Sequence, residues 1–128
     1  MPAVRIDVCR TRPDSEVLEI IDAVYFALRE SLRIPEGDRN IIYTEHAPSR
    51  FAIPAGQSTL YTRIEISLLP GRSIRAKRAL YASIATRFEA FGIPAEAILV
   101  ILHEPPIENW GIGGLAASDI DLGFALDV

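Results

Sequence analysis

Apolar and polar positions alternate near the start of the chain: Val4, Ile6 and Val8 are interleaved with Arg5, Asp7 and Cys9. That alternation predicts a strand with one buried face. The period then changes. Val17, Ile20, Ile21, Val24, Leu28 and Leu32 recur at helical spacing on one side, which predicts an amphipathic helix. Pro13, Asp14 and Glu16 suit its first turn, where a missing N–H and negative charge cost least. Ile34-Pro35-Glu36-Gly37-Asp38 stops it, and Asn40 to Glu45 reads as a second strand. The same order then returns. Ile64, Ile66 and Leu68 alternate with Arg63, Glu65 and Ser67. Pro70-Gly71 turns the chain and Ser73 can cap the next helix. Ala76, Leu80, Ile84 and Phe88 form that helix's buried stripe, and Gly92 ends it with Pro94 just beyond. Ile98 to Leu102 is wholly apolar, as a strand covered on both faces would be. A last strand is expected at Leu122, Phe124 and Leu126.

The two halves align. Pro2 to Cys9 falls on Thr62 to Leu69 at an offset of 60, and Arg12 falls on Arg72. At an offset of 59, Ile34-Pro35 falls on Ile93-Pro94, Glu45 on Glu104 and Phe51 on Trp110. Repetition fixes architecture before propensity does. We expect one α+β domain over residues 1–128. It comprises two pseudo-repeats, 2–51 and 62–110, with 111–128 as a C-terminal loop and strand. A single crossover helix makes the two strands of each unit parallel. Two units give a four-stranded sheet with both helices on one face, plus short extra strands. The other face stays open, and subunit association is expected to cover it.

Hydrophobic residues make up 49% and charged residues 23% of the chain, an ordinary globular composition. A net charge of -4 speaks against nucleic acid, whose phosphates demand a basic face. The basic run Arg72, Arg75, Lys77 and Arg78 reads as a solvated helix face, with Arg72 the exception. A single cysteine, Cys9, allows no intrachain disulfide and fits a reducing compartment. Placed mid-strand, it reads as apolar filler. The start of the chain has no signal-peptide pattern, and no apolar run reaches membrane-spanning length. The expectation is a cytoplasmic protein that engages neither nucleic acid nor membrane.

Candidate chemistry starts at Pro2. Removal of Met1 would expose a secondary amine on a rigid ring. α-Amino groups titrate near ~7.7–8.0, so this one can serve as acid or base near neutrality. The counterpart of Pro2 in the second copy is Thr62, which could never carry a terminal amine. Arg72 opens a helix in Pro70-Gly71-Arg72-Ser73. A guanidinium there can grip a carboxylate with two parallel hydrogen bonds. Arg12 invites the same reading. Asp38 could hold the amine protonated, orient a water, or simply bond within its turn. The spacing leaves that open. His46, His103 and Cys9 make no recognisable metal-ligand pattern, and we expect no metal and no cofactor. Gly111-Ile112-Gly113-Gly114 lacks the Gly-Lys-Ser/Thr ending of a phosphate loop. Trp110 is a large apolar plate, suited to core or pocket wall.

Taken together, Met1-Pro2, the duplicated unit, Asp38-Arg39, His46-Ala-Pro-Ser-Arg50, Pro70-Gly-Arg-Ser73 and Glu104-Pro-Pro-Ile-Glu-Asn-Trp110 resemble the tautomerase superfamily over nearly the whole chain. The branch they resemble is that of malonate semialdehyde decarboxylase. The resemblance implies a doubled β-α-β fold, a homotrimer and a small carboxylate substrate. It implies Pro2 as the catalytic group, with Asp38 and Arg72 beside it, Arg12 as a carboxylate grip, and Trp110 and Ile112 as an apolar wall. A second arginine of the decarboxylase branch falls on Pro70 and is missing. A charge-assisted contact is worth roughly 1.5–3 kcal/mol, so this absence favours enol–keto proton transfer over decarboxylation or hydration. The element order also suits a non-catalytic ferredoxin-like ligand-binding module.

Overall fold

The computed structural model describes residues 2–128. The expected loss of Met1 concerns a residue outside the described ones. Four strands form one mixed sheet: β1 (Ala3–Val8), β2 (Ile41–Glu45), β3 (Thr62–Ser67) and β4 (Ile98–His103), in the order β2-β1-β3-β4. Helix α1 (Asp14–Leu32) connects β1 to its parallel neighbour β2, and α2 (Ile74–Phe88) connects β3 to its parallel neighbour β4. The two halves meet where β1 and β3 run antiparallel, with Ile6 opposite Ile64. Val4, Ile6, Val8, Ile64 and Ile66 are fully buried against Ile20, Val24, Leu28, Leu80, Ile84 and Phe88. Both helices therefore cover one sheet face, as the two periodicities require. No helix of the described residues is long and apolar enough to cross a membrane.

This topology excludes the ferredoxin-like alternative. That fold splits each β-α-β unit around an intervening strand. Here β1 and β2 pair directly, from Val4–Ile41 to Val8–Glu45.

Helix ends follow local chemistry. Pro13 precedes α1, and its carbonyl accepts from the N–H groups of Glu16 and Val17 at 3.0 and 3.1 Å. Ser73 caps α2 through its side chain, which accepts from the Ala76 N–H at 3.1 Å. Gly92, at φ 70, ends not α2 itself but the 3-10 turn Glu89–Phe91 that follows it.

Two expectations are corrected. β4 is an edge strand rather than one covered on both faces, and Leu99 is exposed on it, as is Ile42 on the opposite edge strand. Residues 122–126 form no strand. The extra strands are instead β5 (Gly111–Ile112) and β6 (Leu115–Ala116), a small separate hairpin. The tail leaves both sheet edges, β2 and β4, unpaired. It packs instead on the loop before α2, where the Ser73 N–H donates to the Val128 carbonyl at 3.1 Å.

Candidate active site

Parallel pairing within each half and antiparallel pairing between them bring four chain segments to one end of the sheet. These are the start of β1, the approach to β2, and the exits of β3 and β4. Pro2 immediately precedes β1 and is buried. The Val4 N–H donates to the Asn40 carbonyl at 2.9 Å, so the turn carrying Asp38 sits beside the start of β1. That turn is tethered to α1. The Gly37 N–H donates to the Tyr25 hydroxyl at 2.8 Å, and the Arg39 guanidinium pairs with Asp22 and lies 4.5 Å above the Tyr25 ring. On the other half, the Leu68 N–H donates to the His103 carbonyl at 2.7 Å. This bond aligns Glu104 with the loop that leads to Arg72.

Arg72 is the unusual residue. Its exposure is 6%, yet only Nη1 has a partner, the Leu69 carbonyl at 3.0 Å. Nε and Nη2 are buried with no hydrogen-bond partner. A buried donor left unmade costs about 1–3 kcal/mol, more when charged, and such groups call for an explanation. Burial pushes the guanidinium's proton affinity down, and the neighbouring carboxylates of Glu104 and Asp38 push it back up. The Nε and Nη2 edge is a fork whose geometry matches a carboxylate. Gly71 permits the approach. It sits at φ 131, and a Cβ there would lie 3.2 Å from Leu126, so only glycine fits without strain.

Two residues join this end that were not singled out for chemistry. Lys77, read as part of a solvated face, holds the Glu104 carboxylate through Nζ. The signal available was the alignment of Glu104 with Glu45. Beside the site, on the open face of the sheet, lies a cavity of about 310 Å³ lined by Ala3, Val4, Asn40, Ile42, Ser67 and His103 among others.

Arg12 is elsewhere. It follows β1 and so lies at the opposite end of the sheet. It too is buried, at 7% exposure, but it has side-chain partners. Nη1 donates to the Tyr43 hydroxyl at 2.9 Å, Nε lies 3.6 Å from Glu16, and its backbone N–H donates to Glu45 at 2.8 Å. Thr62, the counterpart of Pro2, is buried at this end, and its hydroxyl donates to the Leu60 carbonyl at 3.0 Å. Trp110 donates from Nε1 to the Pro105 carbonyl at 3.3 Å, and Ile112 pairs with Leu115. Among the described residues no hydrogen bond or ring contact joins either of them to Pro2 or Arg72. No group of three metal-ligating side chains occurs among the described residues either. The two histidines serve carboxylates: His46 pairs with Asp7 at 2.7 Å, and His103 with Glu65 at 3.3 Å.

A family model described as tautomerase enzyme matches residues 38–113. The chain belongs to the tautomerase family. It is an enzyme of the tautomerase, or isomerase, class. A 2-hydroxymuconate tautomerase of Comamonas testosteroni is 37% identical over 57 residues, which is 44% of this chain and 90% of that protein. The probable tautomerase YusQ of Bacillus subtilis (strain 168) is 24% identical over 129 residues, spanning 94% of this chain and 100% of that protein. Among solved structures, FG41 malonate semialdehyde decarboxylase inhibited by 3-bromopropiolate shares 30% identity at a TM-score of 0.73, covering 91% of this chain and 92% of that one. Native fused 4-OT superposes at a TM-score of 0.84 with 23% identity, over 95% of this chain and 99% of that one. The tautomerase thus shares its doubled fold with both kinds of neighbour.

Proposed function

We propose that the enzyme interconverts enol and keto forms of a small carboxylic acid, with Pro2 as proton carrier once Met1 is removed. The observation that supports this most strongly is Arg72: a buried guanidinium with Nε and Nη2 unmet, at the end of the sheet where β1 begins. The substrate carboxylate occupies that fork. The neutral Pro2 nitrogen takes the proton of the enol hydroxyl, the oxygen becomes a carbonyl, and the displaced π electrons accept the proton back from Pro2 at carbon. Nothing is oxidised or reduced. Arg72 spreads the negative charge that develops on the way. Burial favours the neutral amine and Asp38 opposes it, so the two set its poise.

We read residues 2–51 and 62–110 as copies of one unit, and a homotrimer as the working form. Exposed Ile42 and Leu99 on the open face and at its edges support self-association. So does the likeness to fused 4-OT described as an asymmetric trimer, at a TM-score of 0.82. In such an assembly Trp110 and Ile112 of another copy are the candidates to complete the site. Decarboxylation is the weaker reading despite the 30% identity to a decarboxylase, because Pro70 stands where that branch has a second arginine.

The test is steady-state turnover of phenylenolpyruvate and 2-hydroxymuconate by the native protein and Pro2→Ala, with intact mass measured on both. Loss of Met1 with turnover that collapses in the variant supports the reading. Retained Met1 in an active protein, or undiminished activity in Pro2→Ala, sinks it.

A further inference from the structure

We infer that Glu104 and Lys77 set the charge this site accepts, restricting it to enol acids that carry one carboxylate. The inference rests on the reading of Arg72 as carboxylate anchor. Glu104 follows β4, and the bond from the Leu68 N–H to the His103 carbonyl holds it beside the Leu69–Arg72 loop. Lys77, in the first turn of α2, grips its carboxylate, with the two side chains only 21% and 27% exposed. Both Glu104 and Asp38 act on the Arg72 guanidinium. Among the described residues, Arg72 and Lys77 thus stand with the carboxylates of Asp38 and Glu104. One substrate carboxylate fills the free fork. A second would come up against the Glu104 carboxylate, and among the described residues Lys77 is already held by that group. The adjoining cavity also carries a carboxylate, Glu65, and its arginine, Arg5, already lies 3.8 Å from Asp7. Arg12 is at the other end of the sheet with its own partners.

A merely structural ion pair and a charge filter make opposite predictions. Glu104→Gln and Lys77→Gln break the same bond, so a structural role moves both variants alike. A charge filter moves them apart. The measurement is kcat/KM for 2-hydroxymuconate, a diacid, divided by kcat/KM for phenylenolpyruvate, a monoacid. We expect the native ratio to be below one. Glu104→Gln should raise it about tenfold, the scale of one like-charge contact in a half-solvated site. Lys77→Gln should lower it about threefold or more, and it carries the test if Glu104→Gln misfolds. Ratios that move together, or do not move, overturn the inference. Arg72→Ala separates the two levels. If it keeps turnover of both acids, the anchor reading fails. If it loses both while Glu104→Gln and Lys77→Gln leave the ratio unchanged, the charge filter alone fails. Should the native enzyme turn over neither acid, calorimetric binding of phenylacetate and adipate to the same four proteins gives the same comparison. Equal affinity for both in the native protein overturns it.

Discussion

The two ends of the sheet are built from aligned residues and do opposite things with them. Each holds a buried arginine just before a helix, Arg12 at one end and Arg72 at the other. Arg12 is sealed by Tyr43, Glu16 and Glu45. At the repeat offsets, Tyr43 corresponds to Leu102, Glu16 to Ala76 and Glu45 to Glu104. Leucine and alanine accept no hydrogen bond, and Glu104 is occupied by Lys77. The same backbone position thus gives a structural cation in one copy and an unsatisfied one in the other. The lesson is that a duplicated unit can be silenced by filling its donors and kept open by removing their acceptors. An open donor set costs stability, and sites of function are where such costs persist.

The sharpest test of this asymmetry is at the residues that precede β1 and begin β3. Pro2→Ala should lower kcat/KM about a hundredfold or more, the usual scale of a lost proton carrier. Thr62→Ala should leave it within about twofold, using the phenylenolpyruvate assay. The arginines come next. Arg72→Ala should reduce kcat/KM about a hundredfold, from two charge-assisted bonds to substrate. It should leave the urea midpoint unchanged or raised, because two buried unmet donors disappear. Arg12→Ala should do the reverse, destabilising by about 2 kcal/mol through its lost partners. Full loss of activity in Arg12→Ala with stability intact would break the comparison, and would show that Arg12 reaches a site in another copy. A third test transplants the seal. Leu102→Tyr with Ala76→Glu offers Arg72 the acceptors that Arg12 has, and should cut kcat/KM about tenfold while raising the urea midpoint.

Much of this was legible in the residues. Period two located β1 and β3 and helical period both helices, because one-sided burial writes itself into spacing. Ser73 was legible as a cap. What was not legible depends on tertiary choice. Leu122, Phe124 and Leu126 alternate like a strand, but alternation cannot report that the tail is held on the loop before α2 rather than on a sheet edge. Ile98 to Leu102 is apolar enough for a covered strand, but its covering lies outside the chain. The difference between Arg12 and Arg72 was written in Tyr43 and Leu102, residues some thirty positions away. Only the hydrogen bonds show that those positions matter.

The sealed end also has a pH signature of its own. Burial pushes the Tyr43 phenol above its usual 10.0, with the Arg12 hydrogen bond pulling the other way. A folded pKa above the unfolded one means the folded state holds that proton more tightly. The associated stability is complete below about pH 10 and is lost as pH rises through the folded value. Chemical denaturation at pH 9, 10 and 11 should show an alkaline decline in the native protein that is smaller in Tyr43→Phe. An equal decline in both would place that loss elsewhere.

The smallest expected effect is at the helix starts, again aligned and again different. Pro13 precedes α1 with no side-chain bond to give, whereas the Ser73 hydroxyl accepts from the Ala76 N–H at 3.1 Å. Ser73→Ala should therefore cost about 1 kcal/mol, and Pro13→Ala less than half of that. In thermal melts this corresponds to a fall of roughly 3–5 °C for Ser73→Ala. The first turn of α2 also carries Lys77, so loosening it should raise KM for the monoacid modestly and leave kcat nearly unchanged. If Ser73→Ala lowers kcat instead, the cap holds Arg72 in line for the proton transfer itself, and the open end depends on its helix start in a way the sealed end does not.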